Sequence, residues 1–382
     1  MTAPIPFTPV YSVAETLWSL EDLLGRFEEP AFLSDGVHRI SDLHLQPGRV
    51  AHFRFDGELV PLPQASDLDD ETVIALLQPI LNERARSQLS AGEDLDASWE
   101  WPGRNLSFRI NAFRSREGTC AAIRVLARSV PPPEEIGFPM ERSWQDIVDM
   151  EQGLVIITGV TGSGKSTTVA SLLRRRARDR GERIITLEDP IEYILEGDRA
   201  LISQRELGNH LKSFPGGLRS ALREDPDVIF VGEVRDPETA ALVLTAAETG
   251  HMVITTMHTR DTRGAITRLV DIFPSDRSQE ICSQLSFSLH SVIAQKLVAR
   301  ADGQGRRAVM EVMRSHGSIS HLIRSGKWAQ LPGMLETHRK DGCITLDQHL
   351  KQLVEDGQIE REVALRHANS SALPAMLGNV ID

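Results

Sequence analysis

The sequence predicts an α/β fold. Its core is a parallel sheet with a helical C-terminal part, and a small α+β domain precedes it. Three observations predict this. Residues 154–179 read as a short apolar strand, a glycine-rich loop and a helix. Three further apolar strands end in chemically distinctive residues: Glu188, the pair Gly232-Glu233, and His258. The first 126 residues instead mix alternating strands with helical stretches.

Residues 1–15 carry Pro4, Pro6 and Pro9 without periodicity, and are expected to form a flexible arm. The N-terminal domain is expected over 16–130. Within 16–27, Leu17, Leu20, Leu23, Leu24 and Phe27 have helical spacing. Asp42–Leu45 and Ala51–Phe55 alternate as strands, and Asp56-Gly57 is a turn signal. A helix is expected over 67–89, capped by Asp67 or Asp69. Asp94–Trp101, Asn105–Phe113 and Thr119–Leu126 read as strands. In the middle one Leu106, Phe108 and Ile110 share a face, which leaves Arg109 on the other. Pro131-Pro132-Pro133 begins an extended, semi-rigid linker over 131–140. The core is expected over 141–370, with a tail over 371–382.

In the core, Leu154–Thr158 is the first strand. Gly159 to Ser166 match the G-x-x-x-x-G-K-[ST] phosphate loop, and a helix runs from Lys165 to about Asp179. Gly159, Gly162 and Gly164 allow backbone geometries that let neighbouring N–H groups, from Thr161 and Ser163 to Thr167, converge on phosphate oxygens. Lys165 is expected to reach the β- and γ-phosphates, and the Ser166 hydroxyl to bind Mg²⁺. Arg183–Leu187 forms the second strand and ends in Glu188-Asp189-Pro190. The third, Val228–Val231, runs into Gly232-Glu233. Gly232 stands where an acid is common, so Glu233 carries the acidic role. The fourth, Met252–Met257, ends at His258.

Composition narrows the function classes. The chain has 382 residues, 41% hydrophobic and 25% charged, as in ordinary globular proteins. A net charge of −12 argues against wholesale nucleic-acid binding. Cys120, Cys282 and Cys343 are far apart, so neither a disulfide framework nor a zinc cluster is expected. There is no signal peptide and no run of 18 apolar residues, so a cytoplasmic location is expected.

Together these segments resemble the secretion ATPases of type II and type IV systems, and among them the type IV pilus retraction (twitching motility) ATPases. The matching segments, in order, are Ser41-Asp42-Leu43-His44-Leu45, Arg109-Ile110-Asn111-Ala112-Phe113 and the phosphate loop. Next come the acidic box Thr186–Tyr193, the stretch Leu218–Asp227, the Gly232-Glu233 strand end and the histidine box Thr249–Thr259. The resemblance covers about residues 20–370.

The resemblance implies a RecA-like core behind a PAS-like N-terminal domain, ATP hydrolysis with Mg²⁺, and a homohexameric ring. Glu233 is similar to the catalytic glutamate that acts on the attacking water. Glu188 is similar to an acidic-box residue that orders Mg²⁺ and water, and His258 to a γ-phosphate sensor. Arg109 and Arg124, then Arg114 and Arg116, resemble arginines that reach phosphates across a subunit boundary. The implied partner is a pilus or secretion platform at the inner membrane, with the ATPase peripheral to it. Assembly-type relatives usually add an N-terminal domain and a four-cysteine zinc motif, and the dispersed cysteines imply no zinc here. Retraction-type relatives carry a C-terminal Ala-Ile-Arg-Asn-Leu-Ile-Arg box. Here it is Ser318-Ile319-Ser320-His321-Leu322-Ile323-Arg324, with Ser320 and His321 departing from the pattern. A secretion or conjugation ATPase therefore stays open as an alternative. So does a nucleic-acid motor, against which the acidic balance counts.

Overall fold

A computed structural model describes residues 5–30, 33–34, 37–55, 58–101, 103–104, 106–126, 130–303 and 305–378. The chain separates into two units, Met1–Arg128 and Ser129–Asp382.

In the first unit, Tyr11–Val13 (β1) and Thr16–Trp18 (β2) form a short hairpin. The arm expected over 1–15 is therefore partly structured. Tyr11 is buried, and its hydroxyl accepts from the Ala51 N–H at 2.9 Å. Burial of a ring with a satisfied hydroxyl outweighs the local proline content. The first helix consequently starts late, at Leu20–Gly25 (α1), behind a capping box between Ser19 and Asp22. The strands Leu33–Ser34 (β3), Val37–His38 (β4), Ile40–Leu45 (β5), His52–Phe55 (β6) and Glu58–Pro61 (β7) follow. The turn expected at Asp56-Gly57 lies outside the described residues.

The helix expected over 67–89 is two helices, Asp70–Leu77 (α2) and Glu83–Ala91 (α3). Pro79 lacks an N–H and sits in a 3₁₀ turn between them. The Asn82 side chain then starts α3 by accepting from the Ala85 N–H at 2.9 Å. Of the two expected caps, Asp69 serves, accepting from the Thr72 N–H at 2.7 Å. Leu95–Glu100 (β8), Ser107–Ser115 (β9) and Gly118–Val125 (β10) complete an antiparallel sheet of order β7-β6-β5-β10-β9-β8. Leu43, Phe108, Ile110 and Ile123 on one face pack with Leu23, Leu24, Leu76 and Leu77 of the helices.

The second unit begins where the linker was expected. Pro133–Ile136 (α4) is a helical turn with proline at its first position. It is tied down: the Pro131 carbonyl accepts from Ser171 Oγ at 2.6 Å, Glu134 accepts from Arg175 at 2.6 Å, and Ile136 joins the core. Residues 131–140 are thus part of the second unit's surface layer, not an extended connector.

Glu141–Asp149 (α5), Gly153–Thr158 (β11), Lys165–Asp179 (α6), Arg183–Glu188 (β12), Leu201–Glu206 (β13) and Phe214–Ala221 (α7) follow. Then come Val228–Val231 (β14), Pro237–Glu248 (α8), Met252–Met257 (β15), Thr262–Asp271 (α9) and Ser278–Ser288 (α10). The last strands are Leu289–Ala299 (β16) and Arg306–Arg314 (β17). The sheet order is β13-β12-β14-β15-β11-β16-β17. All neighbours run parallel until β16 and β17, which pair antiparallel. Along β11, Leu154 and Ile156 enter one core cluster, and Val155 and Ile157 the other. Burial on both faces explains why these strands are continuously apolar.

Among the described residues five α-helices follow: Gly317–Arg324 (α11), Leu331–Thr337 (α12), Leu346–Glu355 (α13), Arg361–His367 (α14) and Leu373–Met376 (α15). Leu346, Leu350 and Leu353 of α13 pack on Val298 and Val309 of the β16–β17 pair. Leu373 joins them, so the expected tail is partly packed. Among the described residues no helix is long and apolar enough to cross a membrane.

Candidate active site at the phosphate loop

The loop between β11 and α6 is shaped by its glycines and by β16 beneath it. Gly162 and Gly164 have φ of +77° and +87°, values that side-chain-bearing residues rarely adopt. A Cβ on Gly159 would stand 2.4 Å from the Gln295 carbonyl oxygen, so only glycine fits there. Gln295 of β16 holds the loop from below. Its Nε2 donates to the Ser163 carbonyl at 2.8 Å, and its Oε1 accepts from Thr168 Oγ1 at 2.8 Å. Gln295 was not expected from the sequence. A polar residue inside an otherwise apolar strand was the available signal, and β16 itself was not anticipated.

Lys165 opens α6 and folds back over the loop. Its Nζ donates to the carbonyls of Gly159 at 2.8 Å and Val160 at 3.2 Å. Burial lowers its pKa, while Glu192 and then Glu233 pull it up again. The Ser163 hydroxyl is buried with no hydrogen-bond partner. A glycine cradle, a half-buried ammonium and an orphaned hydroxyl fit a phosphate chain, which would occupy all three. A cavity of about 430 Å³ opens beside the loop, lined by Val160, Thr161, Lys296, Leu297, Arg306 and His367 among others. Thr167 and Tyr193 share a hydrogen bond of 2.8 Å at the start of α6.

The neighbouring strand ends bring in the remaining chemistry. Glu233 follows β14 with its side chain 12% exposed, and Arg235 Nε lies 2.7 Å from its carboxylate. His258 follows β15 and places Nε2 3.7 Å from the same oxygen. Burial and the charge of Lys165 lower the His258 pKa, against the pull of Glu233, which favours the neutral ring. Lys165, Glu233 and His258 are therefore gathered at one sheet edge. Thr256 Oγ1 fixes the turn by donating to the Gly232 carbonyl at 2.5 Å.

Glu188 stands apart from this group. It ends β12 deep in the fold, and its Oε1 accepts from Thr186 Oγ1 at 2.6 Å and Gln204 Nε2 at 3.0 Å. Burial pushes its pKa up to about 7, against the effect of those two hydrogen bonds. The exposed carboxylate that Lys165 feels most strongly is Glu192, four residues on in the same acidic box. Glu192, and not Glu188, is the acidic-box carboxylate whose charge acts on Lys165. Its position after Pro190, beyond the strand end, was the signal available in the sequence.

The raised Glu188 pKa has a stability consequence with a defined sign. Below pH 4.5, its ordinary value, native and unfolded chains both hold the proton. As pH rises toward 7 the unfolded chain releases it first, so the native state loses stability across that window. The urea midpoint of Glu188→Gln is expected to fall less between pH 5 and 8 than that of the unaltered chain. Parallel pH profiles for the two proteins would rule out this assignment.

The candidate arginines lie on the first unit. Arg109 and Arg124 are paired residues across β9 and β10, and Arg124 is opposite Asp42 of β5. Arg124 bonds Asp42 at 2.7 Å, and Arg109 stands 3.5 Å from Asp96. Both lie on the sheet face away from the core. Arg116 is almost fully exposed beside Glu117, and Arg114 lies along Gly92.

Comparison with known proteins gives a consistent picture. A family model described as "Type II/IV secretion system protein" matches residues 34–320. The chain is 42% identical over 330 residues to the "Type IV pilus retractation ATPase PilT" of Pseudomonas aeruginosa, covering 86% of this chain and 94% of that protein. It is 41% identical over 317 residues to a "Twitching motility protein" of Neisseria gonorrhoeae, covering 83% of each. The crystal structure titled "Pilus Retraction Motor PilT and Bound ADP" superposes with a TM-score of 0.82 at 35% identity. That match covers 92% of this chain and 97% of the other.

Proposed function

The chain belongs to the type II/IV secretion system protein family, and from that premise we propose that it is a pilus-retraction ATPase, hydrolysing ATP to ADP and phosphate to do mechanical work. One observation carries the chemistry: the phosphate loop, Lys165, Glu233 and His258 meet at the C-terminal edge of β11, β14 and β15. This is where open α/β sheets bind ligands.

The loop amides and Lys165 hold the β- and γ-phosphates and neutralise charge as it develops. Lys165 must leave the Gly159 and Val160 carbonyls to do so. Glu233 takes the proton of the attacking water. Its carboxylate is held by Arg235 until the substrate is seated. His258, neutral, can donate a hydrogen bond toward the γ-phosphate. Ser166 and Glu192 offer hard oxygen donors suited to Mg²⁺, which supplies further charge neutralisation when bound. Glu188 stiffens the acidic box from below.

The retraction reading is supported by the similarity to pilus retraction ATPases. Ser320 and His321 lie in α11, whose Ile319, Leu322 and Ile323 are core residues. The scaffold of the C-terminal box is thus kept while its polar side chains differ, which keeps a secretion role as the second reading. Deleting the gene and counting surface pili separates them. Excess pili support retraction, and an unchanged count with failed export supports secretion.

The working assembly in this reading is a homohexamer acting at an inner-membrane platform, in which Arg109 or Arg124 of one subunit reaches the γ-phosphate held by another. Such a guanidinium is worth roughly 10³–10⁵ in kcat. Arg109→Ala and Lys165→Ala proteins, each inactive alone, are expected to regain ATPase activity when mixed under subunit exchange. Demonstrated exchange without recovery, for both Arg109 and Arg124, removes the trans role.

A further inference from the structure

We propose that His316, His338 and Asp341 form a site for one divalent transition-metal ion, of the class represented by Zn²⁺ and Co²⁺, that pins the start of α11 to the end of α12. One ligand atom from each of the three side chains lies within 4.8 Å of the other two. His316 immediately precedes α11, His338 immediately follows α12, and Asp341 lies in the 3₁₀ turn Arg339–Asp341 beyond it. The two imidazoles stack with centroids 4.4 Å apart and an interplanar angle of 28°, and one ring must turn for both nitrogens to face a common ion, which binds in the plane of each ring.

Two independent observations prepare the rings for a ligand. His338 Nδ1 lies 2.9 Å from the Met334 carbonyl oxygen and 3.0 Å from Thr337 Oγ1. A carbonyl only accepts, so Nδ1 carries the hydrogen and Nε2 keeps its lone pair. This is the outer hydrogen bond that orients metal-ligating histidines. His316 Nε2, in turn, is buried with no hydrogen-bond partner. A buried polar atom left unsatisfied is uncommon and calls for an explanation, and a coordinated ion supplies one.

The donor set selects the ion. Two imidazole nitrogens and one carboxylate oxygen suit Zn²⁺, Co²⁺, Ni²⁺ or Cu²⁺, whereas Mg²⁺ and Ca²⁺ prefer all-oxygen sites. Zn–N bonds of about 2.0–2.1 Å require the ligand atoms to draw together. Asp341 is exposed and can swing inward, leaving a fourth position for water. This site runs against the absence of zinc expected from the dispersed cysteines, an expectation that weighed thiolate ligands alone. Cys343, close by in sequence, instead has its sulfur on the Arg314 N–H at 3.4 Å. The ion would fix the altered C-terminal box, because α11 carries Ser318 to Arg324.

The test uses the full chain without a histidine tag, stripped of metal and free of nucleotide. Co²⁺ is titrated while visible absorption is followed, and Zn²⁺ is titrated against a chromophoric chelator. One ion per chain is expected. Loss of even an outer-shell partner costs about 10–100-fold in affinity, so His316→Ala and His338→Ala are each expected to weaken binding at least ~10-fold. Zn²⁺ should raise Tm of the parent protein but not of these variants. Lys165→Ala should bind the ion normally, which separates this site from the phosphate loop. If a histidine variant fails to melt cooperatively, Asp341→Asn replaces it, with the same weakening expected. No Co²⁺ absorption in the parent, or unchanged affinity in any folded ligand variant, overturns the proposal.

Discussion

Replacing Lys165 with alanine is expected to reduce ATP hydrolysis by at least ~10²–10³-fold, the scale seen when one charge-stabilising group is removed from a reaction centre. The ammonium starts half-buried, bonded to the Gly159 and Val160 carbonyls, and its charge is felt by His258. No other group of the phosphate loop carries a positive charge. Lys165→Ala should keep its circular dichroism and melt cooperatively, because the glycine conformations and the Gln295 support do not depend on the lysine. A steady-state turnover near that of the parent would remove the phosphate-loop assignment.

Glu233→Gln is expected to bind ATP with near-parent affinity while turnover falls by about 10²–10⁴-fold, the usual contribution of a general base. An amide can hold a water but cannot take its proton. The same change removes the ion pair with Arg235, so the variant should also lose part of its salt sensitivity. Nucleotide binding and single-turnover hydrolysis, measured side by side, distinguish lost chemistry from lost binding. Normal hydrolysis in Glu233→Gln, with a dead Glu192→Gln or Glu188→Gln, would move the base to the acidic box.

The parallel strands were legible in the sequence because burial on both faces leaves an uninterrupted apolar run bounded by polar residues. Val228–Val231 and Met252–Met257 are observed with the bounds expected, and α6 spans Lys165–Asp179 as the loop motif required. Glu233, His258 and Lys165 were legible for the same reason: a strand end beside a phosphate loop fixes where its next residue lies. What was hidden depended on partners distant in sequence. Tyr11 looked like part of a loose arm, because its hydrogen bond is to Ala51. The three prolines looked like a spacer, because Ser171, which holds Pro131, and Arg175, which holds Glu134, lie about forty residues on. Glu188 and Glu192 belong to one motif and differ only in depth. No local pattern says that Thr186 and Gln204 enclose the first and leave the second outside.

The grip of Gln295 on the loop has a mechanical consequence. The next residue along β16, Lys296, points to the other face of the strand and holds the end of α14, through the His367 carbonyl at 3.3 Å and Asn369 at 2.9 Å. Asp347 of α13 takes up the same segment by accepting from the Asn369 and Ser370 N–H groups. Phosphate loop, strand and C-terminal helices are therefore joined by hydrogen bonds from two adjacent residues of β16. Through two neighbouring residues, one strand supports both the phosphate loop and the segment that follows α14.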